Sequence, residues 1–448
     1  MSKSVLRGLS MIALLGLSAC GTVQALDPFG VFEEEEDLLS GTRVSVTGTS
    51  AGDTIKVDAA ETKIVIPSPV SNAEWAQLNG GASRAIGHVA AGDELSLAWT
   101  RDVGSGGGAS SRIVSPPIVA AGRVYTLDAG ATVAAHDASS GTRVWSVDLT
   151  PDGENSIDGF GGGVAYDSGR VYVSNGFGEL NALSADTGEV VWTALLGAPS
   201  RAAPAVIDGR VFAVTRDNRV ISVDASSGEV DWMEQGLDQV AGILGGAAPA
   251  ANDQVVIAPF SSGEMNAYAL ASGRLGWIDD LSGSRGNTGL AVLNDVSGDP
   301  VISDGIVYAA SQSGRFVAVE VRTGERLWTQ SIGGIQPPYV VGDTIFFVSG
   351  QGTLVAMKKD SGDVIWATEL GAFHDPDDRE EAITWAGPIL AGGNLLLTSD
   401  LGKLVSIDPT DGTLIREVGL PDGATNGPIA AGGTVYVLTD DATLAAYR

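Results

Sequence analysis

Very few residues in this chain have the type and spacing that catalysis or metal binding would need. Its three histidines, His88, His136 and His374, stand far apart with no partner two or four positions away, so no local pair of imidazole ligands is formed. The single cysteine, Cys20, excludes an internal disulfide and any Cys-based zinc or iron–sulfur site. Asp295-Val296-Ser297-Gly298-Asp299 imitates the start of a calcium loop, but Pro300 stands where the turn glycine belongs and no Glu fills the twelfth position. His374-Asp375-Pro376-Asp377-Asp378 likewise lacks the rest of a site. Gly48-Thr49-Ser50-Ala51-Gly52 has the letters of a nucleophile elbow, yet strand-like Asp53-Thr54-Ile55-Lys56-Val57 follows where a helix must begin. Gly104-Ser105-Gly106-Gly107-Gly108-Ala109 fits a loose dinucleotide fingerprint, but Ser115-Pro116-Pro117 follows and no helix opens. No nucleophile, base and orienting group come together, so the sequence predicts no catalytic residue, no metal and no cofactor.

Composition narrows the classes further. The chain has 448 residues, 61 of them Gly, with 44% apolar residues and a formal charge of -29. That apolar share supports a core and excludes wholesale disorder, while the acidity excludes a basic surface for nucleic acid. Lys3 and Arg7 precede a short apolar run, Leu9 to Leu17, far below the roughly 20 residues a membrane-spanning helix needs. It reads as a secretory leader, residues 1–19. The following Leu17-Ser18-Ala19-Cys20-Gly21 resembles the lipobox of bacterial lipoproteins. That resemblance implies a lipidated Cys20 and, with Gly21 rather than Asp next, an outer-membrane anchor holding the body at the periplasmic face. Residues 20–92 carry the acidic run Glu33-Glu34-Glu35-Glu36-Asp37, then Ser/Thr/Gly-rich sequence, and read as a flexible tether and extended lead-in.

From residue 93 a unit repeats. A Gly stands four residues before Trp145, Trp192, Trp232, Trp277, Trp328 and Trp366, and a seventh copy keeps Gly412 but puts Arg416 in the Trp position. Turn formers such as Asp137-Ala138-Ser139-Ser140 and Asp224-Ala225-Ser226-Ser227 precede these glycines, as a hairpin needing positive φ requires. A second Gly, at 122, 169, 209, 305 and 393, lies 23 residues before the Trp-phase position each time. Trp-to-Trp spacing meanwhile ranges from 38 to 51, so length varies in the connections after the Trp. Short alternating runs bounded by glycine turns make each unit β throughout, and about 45 residues per unit is one propeller blade. The last unit lacks its final strand; Leu95-Ser96-Leu97-Ala98-Trp99 supplies it in phase from the front. The expectation is an all-β, eight-bladed propeller of four-stranded antiparallel blades over 93–448, closed by the N-terminal strand, with seven blades as the other count.

The unit resembles the pyrroloquinoline-quinone-type propeller repeat, which implies that Trp99, Trp145, Trp192, Trp232, Trp277, Trp328 and Trp366 dock between blades. With the lipobox, the acidic linker and the lead-in Asn72-Ala73-Glu74-Trp75-Ala76-Gln77, the chain is similar to the BamB family, propeller lipoproteins of the outer-membrane β-barrel assembly machinery. This likeness implies a non-enzymatic scaffold that binds the periplasmic POTRA domains of the central barrel protein. Contact in that family uses an acidic D-V-x-x-x-P element in a blade-connecting loop, which Asn294-Asp295-Val296 with Pro300 matches, although Ser297 stands where some members have a second acid. Leu195-Leu196-Gly197-Ala198-Pro199-Ser200-Arg201 is similar to a second contact loop. Asn294, Asp295 and Arg201 are therefore the expected partner-binding residues. The alternative is a quinone-dependent or small-ligand-binding periplasmic propeller, against which stands the lack of the vicinal Cys pair of quinoprotein dehydrogenases.

Overall fold

Short strands joined by glycine turns can bury a core only by stacking sheet on sheet, and that is the arrangement seen. The computed structural model describes residues 55–448, apart from 93, 109–110, 201, 239–245, 283–294, 377 and 379. Within it, eight four-stranded antiparallel sheets follow one another as the blades of a propeller, with one extra hairpin, Phe373–Asp375 with Glu380–Ala382. Blade 1 is typical: inner strand Ile118–Ala120, then Arg123–Leu127, Thr132–Asp137 and outer strand Arg143–Asp148. Blade 8 is completed from the front, since Leu97–Asp102 pairs antiparallel with Thr443–Tyr447. The count of eight and the closure expected from sequence both hold.

The up-and-down order gives the ring two unlike faces. Tight turns join the first to the second and the third to the fourth strand on one face, the turn face. The turn between second and third strands and the variable links to the next blade lie on the other, the connection face. Middle strands are almost wholly buried, as in Glu179–Ser184 and Thr344–Val348, whereas outer strands alternate between exposed and covered positions. Inner strands face the axis with an edge no further strand pairs. In seven blades a proline sits at that edge, at 117, 204, 249, 300, 338, 388 and 428, removing an N–H that the edge would leave unpaired.

The repeated Gly and Trp meet across blade boundaries. The Trp145 indole N–H donates to the Ala185 carbonyl in the turn of blade 2 at 2.9 Å; Trp192, Trp232, Trp277, Trp328 and Trp366 donate likewise to Ala225, Leu270, Val321, Lys359 and Pro409. Each ring lies flat on the next blade's turn glycine: a Cβ on Gly228, at φ +79, would sit 2.7 Å from Trp192. Trp99 packs the same way on Gly141, but its N–H is unpaired and the Tyr436 hydroxyl takes the Ala138 carbonyl instead. Arg416 breaks the pattern for a topological reason. Blade 8 has no third-to-fourth-strand turn, because the chain's end and the closing strand meet there, so no turn glycine awaits an indole. The Arg416 guanidinium instead donates to the Glu94 carbonyl.

Two of the three histidines are buried: His88 is 6% and His136 1% exposed. Burial above all, then Arg143 and Arg101, lowers the His136 pKa from 6.5 to about 4. Because the folded pKa lies below the unfolded one, the unfolded chain takes up the proton first. Stability should fall by as much as roughly 3 kcal/mol from this residue as pH drops from 6.5 toward 4. Urea titrations of wild type and His136→Gln across that window check it, the variant showing the shallower pH slope. The turn glycines offer a second test. Gly228→Ala adds a steric clash to a positive φ, whereas Gly209→Ala, at φ +69 with nothing within 4 Å, carries the backbone strain alone. Gly228→Ala should therefore lose on the order of 1–3 kcal/mol more than Gly209→Ala in the same titration.

Candidate partner-binding face and the closed channel

The unpaired inner edges are met by a segment outside the blades. Residues 72–92 run once around the axis and reach the blades in chain order, as a collar. Trp75 exchanges backbone bonds with Val119 of blade 1 at 2.7 and 2.9 Å, and Tyr166 N–H of blade 2 donates to Ala76 O at 2.7 Å. The Gln77 amide serves blade 3 by both ends, donating to Val206 O at 2.8 Å and accepting from Val206 N–H at 2.9 Å. Ala251 of blade 4 and Ile302 of blade 5 donate to Ala82 O and Ser83 O, each at 2.8 Å. The Tyr339 hydroxyl of blade 6 donates to Gly87 O. Val89 binds Leu390 O and Gly392 N–H of blade 7, while Gly92 N–H reaches Gly433 O of blade 8. Blade 8 is also held at the collar's start, where Asn72 donates to Ala430 O and accepts from Gly432 N–H, both at 2.7 Å. His88 fits this scheme. It accepts from Gly393 N–H at Nε2, so Nδ1 carries the proton donated to Pro67 O at 2.7 Å.

The sequence reading has residues 20–92 as a flexible tether and extended lead-in; from Ile55 onward the described residues are extended lead-in packed against the blades. Trp75 is 1% exposed, and even Asp58 and Ala59 donate to Val364 O. The physical reason is the inner edges themselves: buried backbone donors need acceptors, and a chain threaded past all eight provides them.

The collar fills the turn end of the channel. What remains at the connection end is a cavity of about 170 Å³, with Leu78 and Asn79 at its floor and Ser115, Ala202, Gly246, Asp299, Gln336 and Asn426 among its walls. Its polar atoms are engaged within the protein: Asp299 accepts from Asn79 and Ala248, and Asn426 donates to Ile113 O. Burial lowers Arg84, beside Asp299, to a pKa of about 10, and burial raises Asp299 against the pull of Arg84. A larger cavity, about 420 Å³, lies on the turn face under Thr62, Lys63 and Val65. Two of its lysines are already paired, Lys358 with Asp360 and Lys359 with Asp304. Among the described residues, no three His, Cys, Asp or Glu side chains group as a metal site.

The expected partner residues divide. Cys20, Arg201 and Asn294 lie outside the described residues. Asp295 is described and is 2% exposed, which corrects its reading as a surface carboxylate; Gln312 N–H and the Ser297 hydroxyl bond its carbonyl. Val296 beside it is 1% exposed and belongs to the core between blades 4 and 5, which draws this stretch inward. The described residues that follow Arg201 and Asn294 in the chain, Ala202, Ala203, Ser297 and Asp299, line one mouth. The same face exposes apolar side chains that sequence reasoning did not single out for contact, Leu237 (64%) and Ile335, beside Leu195 (75%) from the proposed contact loop. No periodic signal marks them, because they sit where strands pass into irregular links.

A closed eight-bladed ring, its axis largely occupied by its own lead-in and its variable connections gathered on one face, defines the class as an eight-bladed β-propeller. The comparisons agree with that class. The family described as outer membrane protein assembly factor BamB matches residues 92–154, 129–368 and 374–448, and the chain belongs to this family. The BamB protein of Yersinia pestis is 29% identical over 254 residues, covering 56% of this chain and 64% of the relative, so that match spans less than two thirds of the relative's length. The Escherichia coli (strain K12) protein of the same name is 28% identical over 78% of this chain and 87% of its own. Among solved structures, BamB from Moraxella catarrhalis superimposes with a TM-score of 0.66 at 19% identity, over 79% of this chain and 99% of that one. A quinohemoprotein alcohol dehydrogenase from Comamonas testosteroni gives 0.63 at 14% identity, over 84% and 80%; both likenesses speak to fold alone.

Proposed function

We propose that this protein is a non-enzymatic scaffold of outer-membrane β-barrel assembly, lipid-anchored through Cys20 at the periplasmic face of the outer membrane. Its partner is the central barrel protein, held by its periplasmic POTRA domains on the connection face. Family membership supports the assembly role. The observation that carries the choice of face is the set of exposed apolar side chains, Leu195, Leu237 and Ile335, on connections that converge around one mouth. Isolated exposed leucines are common, but here three separate connections of one face each carry an exposed leucine or isoleucine, on the part of the ring free to fit a partner. The buried Asp295 acts in this reading by shaping its connection, not by touching the partner.

The quinoprotein alternative draws less support. Its ligand would occupy the axis, where the collar fills one end and about 170 Å³ remains, below the roughly 300 Å³ of ordinary small-molecule sites.

Titration of purified POTRA domains tests the proposal. Leu195→Arg should weaken binding by about tenfold or more, as expected for a central apolar contact. Leu414→Arg, equally exposed but at the turn-face end of an outer strand, should leave affinity unchanged. Equal losses for both, or no binding by the wild type, would overturn the assignment. Dye-linked oxidation on addition of pyrroloquinoline quinone would favour the alternative.

A further inference from the structure

The mouth of the channel is held by a buried node that joins three segments remote in sequence. Arg84, 2% exposed, sends Nη1 to Leu78 O at 2.8 Å and Nη2 to Pro249 O at 2.7 Å. Asp299, 9% exposed, takes the Asn79 amide at 3.2 Å on one oxygen and Ala248 N–H at 2.7 Å on the other. The guanidinium's charge also favours the Asp299 carboxylate through space, against the larger effect of burial. The node therefore ties the collar turn 78–84 to the end of the link entering blade 4, residues 246–249, and to the end of the link entering blade 5, residues 295–299. At most other blades the collar meets the inner strand itself or the turn that follows it; here it grips the connections.

Those two links leave blades 3 and 4, and exposed Leu237 lies in the first of them. A long connection loses conformational freedom when a partner orders it, and that loss weakens binding unless the fold has already fixed the ends. We propose that Arg84, Asp299 and Asn79 are positioning residues of the partner surface: the collar clamps residues 246–249 and 295–299, so that these ends of the two connections meet the partner preformed. This rests on the scaffold reading above. The collar is then more than a seal on the channel, because one short stretch fixes the ends of two separate blades' connections. The family match begins at residue 92, so Asn79 and Arg84 lie outside it while Asp299 lies within it.

The test uses the full mature chain and purified POTRA domains. Either single change, Arg84→Met or Asp299→Leu, strands a buried charge and lowers the thermal midpoint. The double variant removes both charges, recovers most of that midpoint, and still leaves Ala248 N–H without its acceptor. In it, amide exchange at Ala248 and across 295–299 should quicken by about tenfold or more, and affinity should fall by about fivefold. Asn79→Ala, a milder change, should move both readouts in the same direction by less. Gln77→Ala is the control for stability alone: it breaks the collar at blade 3 and should lower the midpoint with neither link's exchange nor affinity altered. Wild-type affinity in the double variant, or an equal loss of affinity in Gln77→Ala, would overturn the positioning role while the scaffold reading stands. A wild type that does not bind would overturn both.

Discussion

The indole laid on the next blade's turn glycine is the contact on which the ring depends. A four-stranded blade folds on local contacts, but its sheet faces are apolar and must be covered by the neighbouring blades. The Trp does this twice over, by burying its rings and by giving its N–H to a carbonyl in the neighbouring blade's turn. Glycine is required opposite because the backbone there has positive φ and because the indole occupies the space of a Cβ. Where no such turn exists, between blades 7 and 8, the Trp is absent too and Arg416 reaches the Glu94 carbonyl.

Closing such a ring creates a second constraint. Eight inner edges point at one axis, too close together for a ninth sheet and too buried for bare amides. Prolines remove some donors, and the collar supplies acceptors for the donors of blades 1 to 5 in sequence, then turns to blades 6, 7 and 8. Function follows from what this leaves free. With the axis occupied and the turn face built of tight hairpins, the variable connections are the part of the molecule able to differ without unmaking the ring. The proposed binding through connections thus draws on the architecture as much as on the family.

Legibility in the sequence tracked periodicity. The blades, the closing strand before Trp99 and the interblade Trp positions were readable because the same spacing recurs, and a recurring spacing reports a recurring contact. The collar was readable only as an extended lead-in. Residues 72–92 have no repeat of their own; their conformation is dictated by eight different neighbours, so the sequence does not show the path they take. The burial of His88 and His136 was hidden for a related reason, since burial in a propeller comes from the adjoining blade or the collar and leaves no local mark. Asp295 shows the limit of a motif: the letters place the residue in a connection, while Val296 packing into the core turns the carboxylate inward.

The central claim is that the connection face, and not the turn face, carries the partner. Site-specific photo-crosslinking in intact cells addresses it directly, with a photoreactive residue placed at Leu237 or Ile335 on one face and at Val144 or Leu414 on the other. All four positions are exposed, so access to the probe is not the variable. The account predicts crosslinks to the central barrel protein from Leu237 and Ile335 and none from Val144 or Leu414. Crosslinks from the turn face alone, or from no position at all, would contradict it.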